Sequence, residues 1–145
     1  AGVVLGALTA DGKIDERALE TLLPLADGMQ VTFHRAFDEL QDQFEGLRVL
    51  ARYPQITRVL TSAGAASAAD AAQKMRQLVE ESAGSSVRIL AGSGLTPDNV
   101  LRFIEETGVR EVHFGSAVRY NRSGLSAIDP VVLRALADTL HKIGN

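Results

Sequence analysis

The sequence predicts a parallel α/β fold, and three observations carry the prediction. Five short apolar runs rich in Val, Ile, Leu and Phe recur at nearly even spacing along the 145 residues. Each is followed by a glycine or polar loop and then by an amphipathic helical stretch. The runs scarcely alternate between apolar and polar residues, as expected of strands covered on both faces of a parallel sheet.

The runs lie at residues 2–8, 30–37, 56–61, 87–91 and 111–114. The first helix is expected over 15–26, opening on Asp15 and Glu16 and stopping at Gly28; acidic residues in a first turn complement the helix dipole, and glycine ends helices by tolerating a left-handed backbone. The second spans 42–51, ahead of Pro54. Ser67 is placed to cap a third helix reaching Ala83, with Gly84 behind it. Thr96-Pro97-Asp98 reads as a helix start, a capping hydroxyl with proline at the first helical position, and that helix ends at Gly108. Asp129-Pro130 repeats the device for a last helix running to about Ile143. No linker or low-complexity tract interrupts the series, so residues 1–145 form one domain.

Two architectures fit a strand–helix repeat with right-handed crossovers. An open flavodoxin-like sheet needs five units. A TIM (β/α)8 barrel needs eight and about 250 residues, so this chain would supply only its last five units. The loops favour the barrel. A polar cluster follows every run: Thr9-Ala10-Asp11-Gly12, His34-Arg35, Thr61-Ser62-Ala63-Gly64, Gly92-Ser93-Gly94 and Gly115-Ser116. An open sheet concentrates function at one switch point, whereas a barrel gathers all its strand-end loops around one mouth.

Composition narrows the function classes. A net charge of −3 and the lack of a Lys/Arg cluster leave no footprint for nucleic acid. There is no cysteine, which removes disulfides and thiolate metal sites and suits a reducing, cytoplasmic setting. No apolar run is long enough to span a bilayer. The motifs GxSxG and HExxH are absent.

Chemistry is expected at the strand ends. In VTFHRAFD (31–38), strand alternation places Thr32 and His34 on one face and Val31, Phe33 and Arg35 on the other. With Phe33 against helices, His34 points into the mouth as a general acid or base, since imidazole titrates near neutral pH. Arg35 is a permanent cation, either a clamp on an anion or an ion-pair partner of Asp38 or Asp11, and Asp38 completes the tentative catalytic group. The same parity turns His113 inward, making His34 and His113 a candidate metal or acid–base pair. Thr61 and Ser62 would line the polar mouth. Gly92, Ser93, Gly94, Gly115 and Ser116 suggest an anion site, because glycine loops let backbone N–H groups approach a ligand and the last two loops of TIM barrels commonly hold phosphate. Tight-turn glycines are the plain alternative. Asp11 reads as a turn residue, and 119–126 as a polar loop or a lid bringing Arg119 and Arg122 near an anion.

The runs GALTADGKID (6–15), VTFHRAFD (31–38), RVLTSAG (58–64), ILAGSGLTPDN (89–99) and EVHFGSA (111–117) together resemble the CutC family of copper homeostasis proteins over about residues 2–117. The resemblance implies a TIM-like barrel in which run 2–8 is the fourth strand and run 111–114 the eighth. It also implies cytoplasmic copper handling. Soft Cu(I) prefers thiolate and thioether ligands, and here only Met29 and Met75 remain; His34 and His113 are ligands of the kind that suits Cu(II). The competing expectation is an enzyme acting on a small anionic or phosphorylated substrate. Open strand edges would favour a homo-oligomer.

Overall fold

In the computed structural model, which describes residues 1–144, the five apolar runs pair side by side in chain order. Strands β1 (Gly2–Leu5), β2 (Gln30–Phe33), β3 (Ile56–Thr61), β4 (Arg88–Ala91) and β5 (Glu111–Val112) form one sheet in the order β1-β2-β3-β4-β5. Every pairing is parallel. This order decides between the two architectures. A flavodoxin-like sheet runs 2-1-3-4-5 and reverses at a switch point; consecutive order without reversal is the wall of a TIM-type barrel.

The two faces of the sheet differ as a barrel wall requires. Val31, Phe33, Val59, Ile89 and Ala91 point to one face and are fully buried in the core. Helices α1 (Glu16–Leu22), α2 (Gln43–Ala51), α3 (Ala72–Ser82) and α4 (Val100–Thr107) supply the other side of that core through Leu19, Leu47, Leu50, Met75, Leu78 and Phe103. Helix α5 (Pro130–Ile143) packs Leu136 on Val100 and Val118 in a smaller cluster. The opposite face carries Val4, Thr32, Leu60 and Leu90, with Val4 65% exposed. At its amino-terminal end Arg58 donates to Glu111 and, at 2.9 Å, to Gln30, while Arg88 stands 3.6 Å from Glu111. This charged layer belongs to the inner side of the arc.

Element ends depart from the sequence reading for local reasons. Run 2–8 stops at Leu5, and Leu8 bridges antiparallel to Ile14. Run 30–37 stops at Phe33 because the His34 ring accepts the Ala36 N–H at 3.1 Å and starts a 3-10 turn, Arg35–Glu39. Pro24, unable to donate within a helix, ends the first helix at Leu22 and leaves a 3-10 turn, Leu23–Ala26. Ser67 precedes a 3-10 turn, Ala68–Ala71, and caps nothing with its side chain. Thr96-Pro97-Asp98 is a turn rather than a helix start: the Asn99 carboxamide oxygen accepts the Thr96 N–H at 2.9 Å and α4 begins at Val100. Asp15, Asp42 and Asp129 cap α1, α2 and α5 as their sequences suggest. Among the described residues, no helix is long and apolar enough to cross a membrane.

Phe33 is fully buried at the centre of the helix-side core, so Phe33→Ala should cost about 3–5 kcal/mol of unfolding free energy, measured by urea titration.

Candidate functional site

The loops after β2 and β3 are joined by one carboxylate. Asp38, in the turn that His34 initiates, has a side chain only 5% exposed. Its Oδ1 accepts from the Thr61 hydroxyl, from the Ser62 N–H at 3.1 Å and from the Gly64 N–H at 3.2 Å. Its Oδ2 accepts from Arg35 Nε at 2.7 Å and the Ser62 hydroxyl at 3.1 Å. Burial works against the charge, but hydrogen bonds from Thr61, Arg35 and Ser62 outweigh it and hold the carboxyl below the usual aspartate range. A carboxylate so engaged is an organiser of loops. Thr61 and Ser62, expected to line the mouth, are fully buried and turned to Asp38 instead.

The clamp aims Arg35 at the strand ends. Its Nε serves Asp38, its Nη2 donates to Ser62 Oγ at 2.9 Å, and Nη1 has no acceptor among the described residues. The guanidinium then borders a cleft of about 290 Å³, shared with Ser93, Gly94, His113, Ser116 and Arg122. Leu60 and Leu95 supply its apolar wall.

Two glycine-bearing loops close the cleft from the far side. Ser93 holds a left-handed φ of 78°, its hydroxyl donates to the Ala66 carbonyl at 2.9 Å and its own carbonyl accepts from the Ala68 N–H at 2.9 Å. A left-handed serine is uncommon and persists where its surroundings fix it. Gly94 has φ +72°, and a Cβ there would run into Ser67. Among the described residues, no protein acceptor takes the N–H of Ser93, Gly94 or Gly115. Gly92 does not share in this: it is buried beneath His113 and extends the sheet ladder through its N–H to the Thr61 carbonyl at 3.0 Å.

The histidines separate. His113 faces the cleft because its neighbours Val112 and Phe114 pack on the helix side, as strand parity predicted. His34 also takes the inner face, where a Cβ on Gly6 would stand 2.8 Å from its ring. It does not border the cleft, however, and its Nδ1 is engaged by the Ala36 N–H. The strands that carry the two rings are separated by β3 and β4. The sequence singled out Arg35, Ser93, Gly94, His113, Gly115 and Ser116, and all six border the cleft. The hydrophobic wall of Leu60 and Leu95 was missed, since nothing in the sequence separates these from other core leucines.

Comparison with known proteins names the lineage. The CutC family model matches residues 1–118. This chain belongs to the CutC family. A CutC protein of Caulobacter vibrioides is 43% identical over 119 residues, 81% of this chain and 48% of that protein. The CutC of Histophilus somni is 36% identical over 142 residues, 98% of this chain and 57% of that one. The chain spans about half the length of the curated relatives it matches. The crystal structure of CutC from Streptococcus agalactiae, named for copper homeostasis, superposes with a TM-score of 0.68 at 32% identity, covering 76% of this chain and 53% of that one. The CutC likeness and the consecutive strand order agree on a TIM-type wall.

A copper centre fits the residues of this CutC chain poorly. It has no cysteine; Met75 is fully buried in the core, and Met29 precedes β2 at the end of the strand opposite the cleft. Among the described residues, no three His, Cys, Asp or Glu side chains gather as an ion would require.

The depressed titration of Asp38 has a signed consequence. Its stabilisation is fully present above the unfolded carboxyl value of about 4 and is lost as pH falls through the lower folded value. Asp38→Asn should therefore flatten the fall in stability below about pH 4. Asp38→Ala should cost about 2–3 kcal/mol at neutral pH by stranding the donors of Thr61 and Ser62, both read from urea midpoints between acid and neutral pH.

Proposed function

We propose that this CutC chain binds a small anion, phosphate or a phosphorylated compound, in the cleft at the ends of β3, β4 and β5. Its contribution to copper homeostasis, the process named for its Streptococcus agalactiae relative, would run through that ligand. The observation that carries the reading is the set of uncommitted N–H groups at Ser93, Gly94 and Gly115 on a cleft that Arg35 and Arg122 also border. Backbone N–H groups without protein partners, beside guanidinium groups, are a means by which proteins hold phosphate. Within the cleft, His113 is the group able to exchange a proton with a bound anion; Arg35 serves as the electrostatic clamp and Asp38 as its positioning residue. His34, through its Nδ1, supports the turn rather than the ligand.

Direct copper binding by His34 and His113 is the competing reading. It draws on the family name and on the affinity of imidazole for Cu(II). Calorimetry separates the two. Phosphate should bind saturably, and Arg35→Gln should weaken it by about tenfold. Cu(I) or Cu(II) binding tighter than millimolar, with no phosphate binding, overturns the anion reading.

Among the described residues, the outer sides of β1 and β5 pair with no strand. We read these edges as sites where copies of the chain associate, because unpaired strand edges template further pairing. Light scattering over a concentration series should show the apparent mass rising; a constant monomer mass removes the proposal.

A further inference from the structure

The cleft at rest is electrically balanced, and the balance rests on an ion pair that a ligand can replace. Arg35 is matched by Asp38 within the clamp. Arg122 is matched by Asp98: its Nη2 donates to Asp98 Oδ2 at 2.9 Å. The two pairs are not alike. Asp38 is buried under several donors, whereas the Arg122 and Asp98 side chains are 60% and 75% exposed and hold one another by a single hydrogen bond. An exposed pair of long, solvated side chains exchanges partners at little cost.

The backbone under Arg122 is built to present it there. Asn121 and Arg122 both adopt left-handed φ values, 54° and 51°, with no glycine to ease them. The base of this loop is tied down: Arg119 Nη1 donates to the Ser126 carbonyl at 2.6 Å, the Tyr120 N–H to Ala127 at 3.0 Å, and the Asp129 N–H to Val118 at 2.8 Å. A fixed base with a strained tip is the arrangement found where a side chain must be held at a ligand. The tip lies beyond residue 118, where the family match ends, so it falls outside the motifs through which the chain was recognised.

Resting on the anion reading above, we infer that Arg122 is the second clamp of the cleft, that Asp98 is its built-in competitor, and that the ligand is a doubly charged phosphate monoester. Asp98 sits in the turn that follows the Gly92–Gly94 loop, so the same loop offers donors to a ligand and withholds Arg122 from it. A monoanion offers Arg122 nothing beyond what the Asp98 carboxylate already gives. A monoester dianion does, and it also meets the free Nη1 of Arg35 and the N–H groups of Ser93, Gly94 and Gly115. Competition by Asp98 lowers the fraction of chain with Arg122 available, and apparent affinity falls by that fraction. The dianion, which gains most from Arg122, competes best for it, and Asp98 moderates that gain.

The test is calorimetric titration of the full chain at pH 8, where a monoester carries close to two charges, using methyl phosphate and dimethyl phosphate. Methyl phosphate should bind about tenfold tighter or better than the diester, because charge-assisted bidentate pairing favours the dianion. Asp98→Asn should tighten methyl phosphate binding by about fivefold and diester binding by less, because the diester gains less from the Arg122 that is released. Arg122→Gln should weaken methyl phosphate by about tenfold and abolish any effect of adding Asp98→Asn. Both positions are exposed, and unchanged melting temperatures will confirm folded variants. If Asp98→Asn acts equally with and without Arg122, or not at all, the competitor role is overturned while the anion site stands. If the unaltered chain takes up no methyl phosphate at millimolar concentration, the site and the inference fall together.

Discussion

The Asp38 carboxylate is the interaction on which the strand ends depend. It is reached only because β2 stops at Phe33 and the chain turns tightly under His34, which swings Asp38 across to β3. There it meets the donors of Thr61, Ser62 and Gly64, and so binds two successive strand–helix loops into one unit. Arg35 is carried along as the fixed cation of the cleft. Without the negative charge, the buried hydroxyls and N–H groups around it would face one another, donor against donor. The carboxylate is thus a structural requirement that also orients the chemistry.

A second tie repeats the pattern one loop further on. Ser93 reaches back to Ala66 and Ala68, so the loop after β4 is fastened to the loop after β3. Because these ties satisfy the side chains and leave the N–H groups of Ser93, Gly94 and Gly115 without a protein acceptor among the described residues, the cleft has a rim of backbone donors. Recognition by backbone N–H groups suits an anion and does not suit a soft metal. Family membership and copper ligation are therefore separate properties: membership rests on fold and motif, ligation on the donors a site presents.

The inner side of the sheet follows another logic. Gln30, Arg58, Arg88 and Glu111 form a polar layer at the amino-terminal end, with Thr32, Leu60 and Leu90 above it. In barrels of this type, inward side chains from neighbouring strands stack in layers. The gradation from charged floor through apolar waist to polar mouth comes from the register between strands, which sets Arg58 opposite Arg88 and Leu60 opposite Leu90.

The sequence by itself determined the elements and their class. Apolar runs of strand length, aspartates before three helices and glycines behind the strands are local signals, and they report local physics faithfully. Side-chain parity was also legible, since alternation is a property of any strand: Phe33 inward to the helices, His113 toward the mouth. What only the tertiary structure decided were the relations between distant segments. Strand order, which selected the barrel wall over the open sheet, depends on crossovers no local pattern encodes. Thr61 and Ser62 turned from mouth to clamp because Asp38 satisfies them from another loop. Thr96 lost its capping role because Asn99 closed a turn first. The two histidines share a face yet stay apart because two strands intervene. Hydrogen-bond partners and separations across a sheet are long-range quantities, fixed by which loops the packed core brings together.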